Sequence, residues 1–152
     1  MNLKNLFFNL VILLSFSVSA TDVKLTETNN QLTITEKSLT EFTFINHLSE
    51  FQTMNVKTNA GDFVKLIVSG YGENAIKGNA ELPVLEELIN IPFGAEVSVK
   101  IINKEEKTIS LSDYGITNTI FPSQPSISKS EDAASVPFYF NEEYYSNNDF
   151  YT

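Results

Sequence analysis

Lys129 is the single cation between Lys107 and the C-terminus, and the residues around it set it apart. The stretch Phe121 to Phe140, FPSQPSISKSEDAASVPFYF, is punctuated by Pro122, Pro125 and Pro137. Proline fixes φ, removes a backbone donor and pushes the preceding residue toward an extended conformation. The stretch is therefore expected to avoid helix, to stay out of the centre of a sheet and to run as a long presented loop. Ser128 and Ser130 flank the lysine with small side chains, which leaves the backbone free to pair with the edge of another sheet. The chemistry on offer is recognition, a lone cation displayed on an extended backbone. Taken without any wider context, these residues favour a plainer reading, an ordinary surface lysine in an exposed linker.

Catalytic chemistry finds little support. The chain has no cysteine, so a thiol nucleophile, a disulfide framework and a thiolate metal site are all excluded. His47 is the only histidine and reads as a surface or half-buried structural residue. One histidine formally allows a Ser/His/Asp arrangement, but the strained Gly-x-Ser-x-Gly turn that exposes such a serine is missing. The acidic pairs Glu86-Glu87, Glu105-Glu106, Glu131-Asp132 and Glu142-Glu143 lack the alternating spacing and central glycine of a calcium loop, and read as solvated faces. Gly70 to Gly78, GYGENAIKG, lacks the Gly-Lys-Ser/Thr ending of a phosphate loop. No cofactor and no metal is expected.

All ten basic residues are lysines, and the formal net charge is −9. An acidic surface repels phosphate backbones and anionic lipids, which argues against nucleic acid and against polybasic membrane attachment. Met1 to Ala20 has a short polar start with Lys4, an apolar run and a small-residue ending, Val18-Ser19-Ala20. That is the layout of a secretory signal peptide cleaved after Ala20, and loss of Lys4 would take the charge to −10. Thr21 to Thr152 is the length of one domain. It is expected to be exported and not to stay in a membrane.

Alternation with period two recurs along this remainder, whereas a helical period is nowhere sustained. Gln31 to Thr35, Glu41 to Ile45, Phe51 to Lys57 and Asp62 to Ser69 are rich in β-branched and aromatic residues and read as strands. The clearest alternation is Ala95 to Ile102, with Val97, Val99 and Ile101 on one face and Glu96, Ser98 and Lys100 on the other. The polar turn Asn103 to Glu106 would fold it into a hairpin with Thr108 to Leu111. Val136 to Asn141 reads as another strand, and Val84 to Leu88, after Pro83, as a helical turn. Turn signals fall at Asn29-Asn30, Ala60-Gly61-Asp62, Gly70 to Gly78 and Phe93-Gly94. The expected class is all-β, an antiparallel β-sandwich or an open barrel.

The C-terminal residues carry Tyr139, Phe140, Tyr144, Tyr145, Phe150 and Tyr151. Such a cluster could form a carbohydrate or partner platform, but an unfinished core explains it better, because exposed termini are usually polar and frayed. The sandwich is thus expected to be incomplete at its C-terminus, the chain ending inside the domain.

Several landmarks occur in the order and spacing of one known family. They are Gly70 to Gly78, Glu81-Leu82-Pro83-Val84-Leu85, Ile91-Pro92 and Gly94 leading to Val97-Ser98-Val99, Leu111-Ser112-Asp113-Tyr114, Pro122, Gln124-Pro125, Ser126-Ile127-Ser128-Lys129 and Val136-Pro137-Phe138-Tyr139. Between Phe51 and Phe150 the chain resembles the propeptides of gingipain-type cysteine peptidases. The resemblance implies a β-sandwich prodomain that keeps a secreted cysteine peptidase latent and helps it fold, with the peptidase in the same polypeptide as partner. It places Lys129 at the basic position that blocks the protease, within an inhibitory loop of Ser126, Ile127, Ser128, Lys129, Ser130, Glu131 and Asp132. The bond between Lys129 and Ser130 is also the natural activating cut, as Ala20 marks the signal cleavage. The competing expectation is a stand-alone secreted β-sandwich module for adhesion or ligand binding, without inhibitory activity.

Overall fold

The computed structural model describes residues 20–38, 40–129 and 136–148. Seven strands follow in order: β1 (Ala20–Lys24), β2 (Gln31–Ser38), β3 (Glu41–His47), β4 (Glu50–Thr58), β5 (Gly61–Ile67), β6 (Gly72–Glu73) and β7 (Pro83–Val84). A short 3-10 helix (Leu111–Tyr114) and one helix, α1 (Glu142–Asn147), complete the regular structure of the described residues. Every strand pair among the named strands is antiparallel, in a sheet of order β1-β4-β5 and two hairpins, β2-β3 and β6-β7.

The four alternating runs Gln31–Thr35, Glu41–Ile45, Phe51–Lys57 and Asp62–Ser69 become β2 to β5 almost where expected. A tight turn at Asn59 and Ala60 joins β4 to β5, placing Thr58 opposite Gly61. The Thr58 hydroxyl accepts the Ala60 amide at 3.1 Å, and Gly61 takes φ 142°, a conformation that favours glycine. At the other end, Asn30 ties β2 to β4. Its side-chain oxygen accepts the amides of Ser49 and Glu50 and the Ser49 hydroxyl, while its amide donates to the Glu50 carbonyl.

The main sheet buries both faces unequally, which explains why alternation in β5 is imperfect. Register places Val23 opposite Phe51 and Val64 opposite Asn55. Val23, Phe51, Val64 and Val68 join Ala80, Ile116, Ile120 and Tyr145 in one core cluster. Phe63 points to the other side, where its ring meets Phe121 at 5.8 Å, Phe138 at 5.4 Å and Phe140 at 6.5 Å between centroids. Such offset and edge contacts suit the aromatic quadrupole.

An additional rung extends the sheet. Ile120 bridges in parallel to Val64: Val64 donates to Thr119 at 2.9 Å and Phe121 to Val64 at 2.8 Å. On the far side, Glu81 donates to the Phe121 carbonyl and Ser123 to that of Asn79, both at 2.8 Å. Residues 119–123 thus lie between two backbone neighbours, contrary to the expectation that proline keeps this stretch from the middle of a sheet. None of these bonds needs the nitrogen of Pro122, so the proline is tolerated there.

Three other expectations fail. Residues 95–102 and 108–111 do not pair, and Leu111 opens the 3-10 helix instead; the alternating face has nothing among the described residues to cover it. Pro83 and Val84 do not start a helical turn, because they are taken up by β7 against Gly72 and Glu73. Residues 136–141 form no strand, their backbone being held by side chains as much as by ladder bonds. The C-terminal aromatics Phe140, Tyr144 and Tyr145 pack into or against the core instead of forming a platform, and Tyr145 is fully buried. Phe150 and Tyr151 lie outside the described residues.

One ion pair sits next to the rung. Lys65 meets the carboxylate of Glu81, which is 8% exposed, with Glu73 at 3.9 Å from the ammonium and the Phe121 ring 5.0 Å away. Burial pushes the Glu81 carboxyl above its usual value of 4.5, against the lowering effect of Lys65 and with a further rise from Glu73.

Two outcomes follow from this packing. Tyr145 donates its hydroxyl to the Ile120 carbonyl at 2.6 Å in the buried core. Tyr145→Phe should lower unfolding free energy by about 1–3 kcal/mol by leaving that carbonyl without its partner; urea melts matching the parent would refute this. Because the folded state holds the Glu81 proton more tightly than the unfolded chain, its contribution is full below pH 4.5. It is lost as pH rises through the raised value. Glu81→Gln should remove that part of the decline, so parallel stability-against-pH curves for the two proteins would count against it.

Candidate functional site

The loop around Lys129 leaves the fold from the additional rung, and its first residues are the most firmly held. Phe121, Pro122 and Ser123 are buried, and Gly78 donates to the Ser123 carbonyl at 2.8 Å. Gly78 in turn accepts the Asn141 amide at 2.9 Å, so the segment in which the loop returns lies beside the one from which it departs. Gly78 has φ 80°, and a Cβ there would meet the Asn141 nitrogen at 3.4 Å and the Phe140 carbonyl carbon at 3.6 Å. A side chain would be strained by the backbone angle and would also press on the returning segment.

Gln124 closes the neck. Its amide nitrogen donates to the Tyr139 carbonyl at 2.8 Å and to the Pro122 carbonyl at 3.0 Å, while its oxygen accepts the Tyr139 amide at 3.0 Å. The carboxamide thus offers Tyr139 the donor and acceptor that a facing strand residue would supply, across 15 positions of sequence. Lys77 adds a cation over the Tyr139 ring, 4.1 Å from its centroid. Asn141 caps α1 by accepting the Tyr144 amide at 3.1 Å, and Glu142 and Glu143 occupy the favourable first turn. The returning stem is therefore fixed immediately after Tyr139.

Beyond this neck the chain is exposed. Pro125, Ser126, Ile127, Ser128 and Lys129 are all solvent-accessible, with Lys129 at a turn. Ser130, Glu131 and Asp132 lie outside the described residues, so four of the seven candidate loop residues have a described place. Ala20, the other cleavage candidate, is the first residue of β1, opposite Met54. His47 lies at the end of β3, with its Nε2 2.7 Å from the Thr28 hydroxyl. Gln124 and Lys77 received no role from the sequence. Their only signal was position, a glutamine between two prolines and a lysine in a glycine-bearing turn, and neither pattern specifies a contact with Tyr139.

Comparison with known proteins agrees with this architecture. Residues 20–152 match the family Propeptide_C25. Lys-gingipain and Lys-gingipain W83 of Porphyromonas gingivalis are each 31% identical over 128 residues, covering 84% of this chain and 7% of their own length. The chain is therefore similar to a small part of those proteins. A solved structure concerned with the zymogenic latency of gingipain K from Porphyromonas gingivalis superimposes with a TM-score of 0.76 at 30% identity. It covers 84% of this chain and 70% of that one. The antiparallel all-β architecture is that of the matched structure. By this match and these relatives, the chain belongs to the gingipain propeptide family.

Proposed function

We propose that this chain is the inhibitory and folding-assisting prodomain of an exported gingipain-like cysteine endopeptidase, with Lys129 filling the specificity pocket of the enzyme. An enzyme that cuts after a basic residue needs an acidic pocket. The simplest way to occupy that pocket is a loop that offers a cation in a substrate-like pose. The observation that carries this reading is the contrast between neck and tip. The stems at 121–124 and 139–141 are buried or hydrogen-bonded, whereas Ser126 to Lys129 are exposed beyond them. A fixed base lowers the entropy lost on docking, while the accessible tip can enter a cleft.

The family likeness and the likeness to a chain studied for zymogenic latency support the choice of partner. The signal-like first twenty residues support export, and among the described residues no helix is long and apolar enough to cross a membrane. On this reading the Lys129–Ser130 bond is both the inhibitory contact and the activating cut, since exposed loops are preferred sites of nicking.

Inhibition of a purified Lys- or Arg-specific gingipain-type peptidase by recombinant Thr21–Thr152 is the deciding assay. Lys129→Ala should raise the inhibition constant by the equivalent of about 2–5 kcal/mol, the cost of leaving the partner charge buried and unpaired. An unchanged constant would remove Lys129 from the pocket, and no inhibition by folded protein would favour the binding-module alternative. Gln124→Ala should weaken inhibition by about 1–3 kcal/mol through loss of the neck and speed trypsin cleavage after Lys129. Unaltered inhibition and cleavage would mean that the clamp does not position the loop.

A further inference from the structure

The segment 95–102 keeps the alternation of a strand without a strand's partners. Val97, Val99, Ile101 and Ile102 are 57%, 90%, 74% and 73% exposed. Among the described residues, no backbone hydrogen bond engages residues 96–107. Unpaired backbone groups beside an alternating apolar face form a template for strand addition.

We propose that residues 95–101 pair antiparallel, about a two-fold axis at Ser98, with the same segment of a second copy of this chain. The charge pattern selects this occupant and this register. An axis at Ser98 sets Glu96 of each copy opposite Lys100 of the other, Val97 opposite Val99, and Ala95 opposite Ile101. Ala95, Val97, Val99 and Ile101 then share one face and Glu96, Ser98 and Lys100 the other, with both ion pairs formed and Ile102 beyond the pairing. An axis at Glu96 or at Lys100 sets like charges opposite each other. An axis at Val97 or Val99 leaves both charges without opposite partners, and an axis between two residues mixes apolar with polar side chains on each face. One symmetric register therefore satisfies every position from Ala95 to Ile101, as an isologous contact requires.

A two-stranded ribbon is a weak union, so the protein should show a concentration-dependent monomer–dimer equilibrium. This inference does not involve Lys129, and its failure would leave the inhibitory reading intact. The test is sedimentation velocity on the chain lacking its first nineteen residues, because the strands that build the described fold begin at Ala20. The parent should dimerise as concentration rises. Glu96→Lys or Lys100→Glu should each weaken the dimer by about tenfold or more, by turning two attractive pairs into repulsive ones. The double variant Glu96→Lys/Lys100→Glu should restore it. The exposed position of both residues spares the core, and circular dichroism spectra matching the parent's would verify this. A parent that stays monomeric at all concentrations would overturn the proposal and give the segment to a different partner. Association indifferent to the single reversals, or not rescued by the double variant, would overturn it as well.

Discussion

The backbone rung at residues 119–123 is the constraint on which the rest of the structure depends. It satisfies Val64 on one side and Glu81 and Asn79 on the other, and so connects the β1-β4-β5 sheet to segments distant in sequence. Its carbonyl at Ile120 receives the hydroxyl of the fully buried Tyr145, which brings α1 onto the same core. A buried backbone group without a partner is costly, so displacing this rung would strand donors and acceptors on both neighbours at once. The Lys129 loop starts from the end of this rung.

The two faces of the sheet solve different problems. The Val23, Phe51, Val64, Val68 side closes over aliphatic residues and Tyr145 in a continuous core. The Phe63 side is closed by the rings of Phe121 and Phe138, and Phe140, which meets Phe63 and also stacks on Tyr145, joins the two sides; Phe138 and Phe140 come from the segment on which the loop returns. Fixing the returning stem therefore uses two phenylalanine rings together with the carboxamide of Gln124. Beside them Lys65 rests near Phe121 and on Glu81, so that a buried carboxylate keeps a cation at the point where the rung turns outward. Burying such a pair is weak as a source of stability, since desolvation offsets attraction; its effect is to hold Glu81, and with it the hydrogen bond to Phe121, in one place.

Legibility followed how locally each element is determined. Strands β2 to β5 were readable because each hairpin partner lies next in sequence and the alternation is answered by a neighbour. Residues 95–102 had the best alternation and form no strand, because alternation states a demand for a partner and does not supply one. The rung at 119–123 was misread for the opposite reason: proline is a local signal against central pairing, yet the ladder calls on Phe121 and Ser123 and bypasses Pro122. β1 was hidden at the edge of a signal-like segment, and α1 is too short for a helical period to register. At the site, the exposed loop and its lone cation could be read from Pro and Ser content. The clamp could not, since nothing about Gln124 in sequence announces a contact with Tyr139.

On the proposed inhibitory reading, the form of the loop separates two requirements that a pocket-filling segment has to meet together. It needs to resemble a substrate at its tip, with accessible backbone and a cation among small residues, yet a free peptide of that kind would lose much entropy on docking and would be cut and released. Anchoring the departing stem in buried structure and the returning one by hydrogen bonds reduces the first cost. It also means that one cut at the tip leaves both new ends attached to the fold, by Phe121 to Gln124 on one side and Tyr139 to Asn141 on the other. On that reading a cut after Lys129 would end the continuity that holds it in place and leave the hydrogen bonds of both stems intact. Release would then depend on the tip alone, and the stability of the rung would set how much of the prodomain survives its own cleavage.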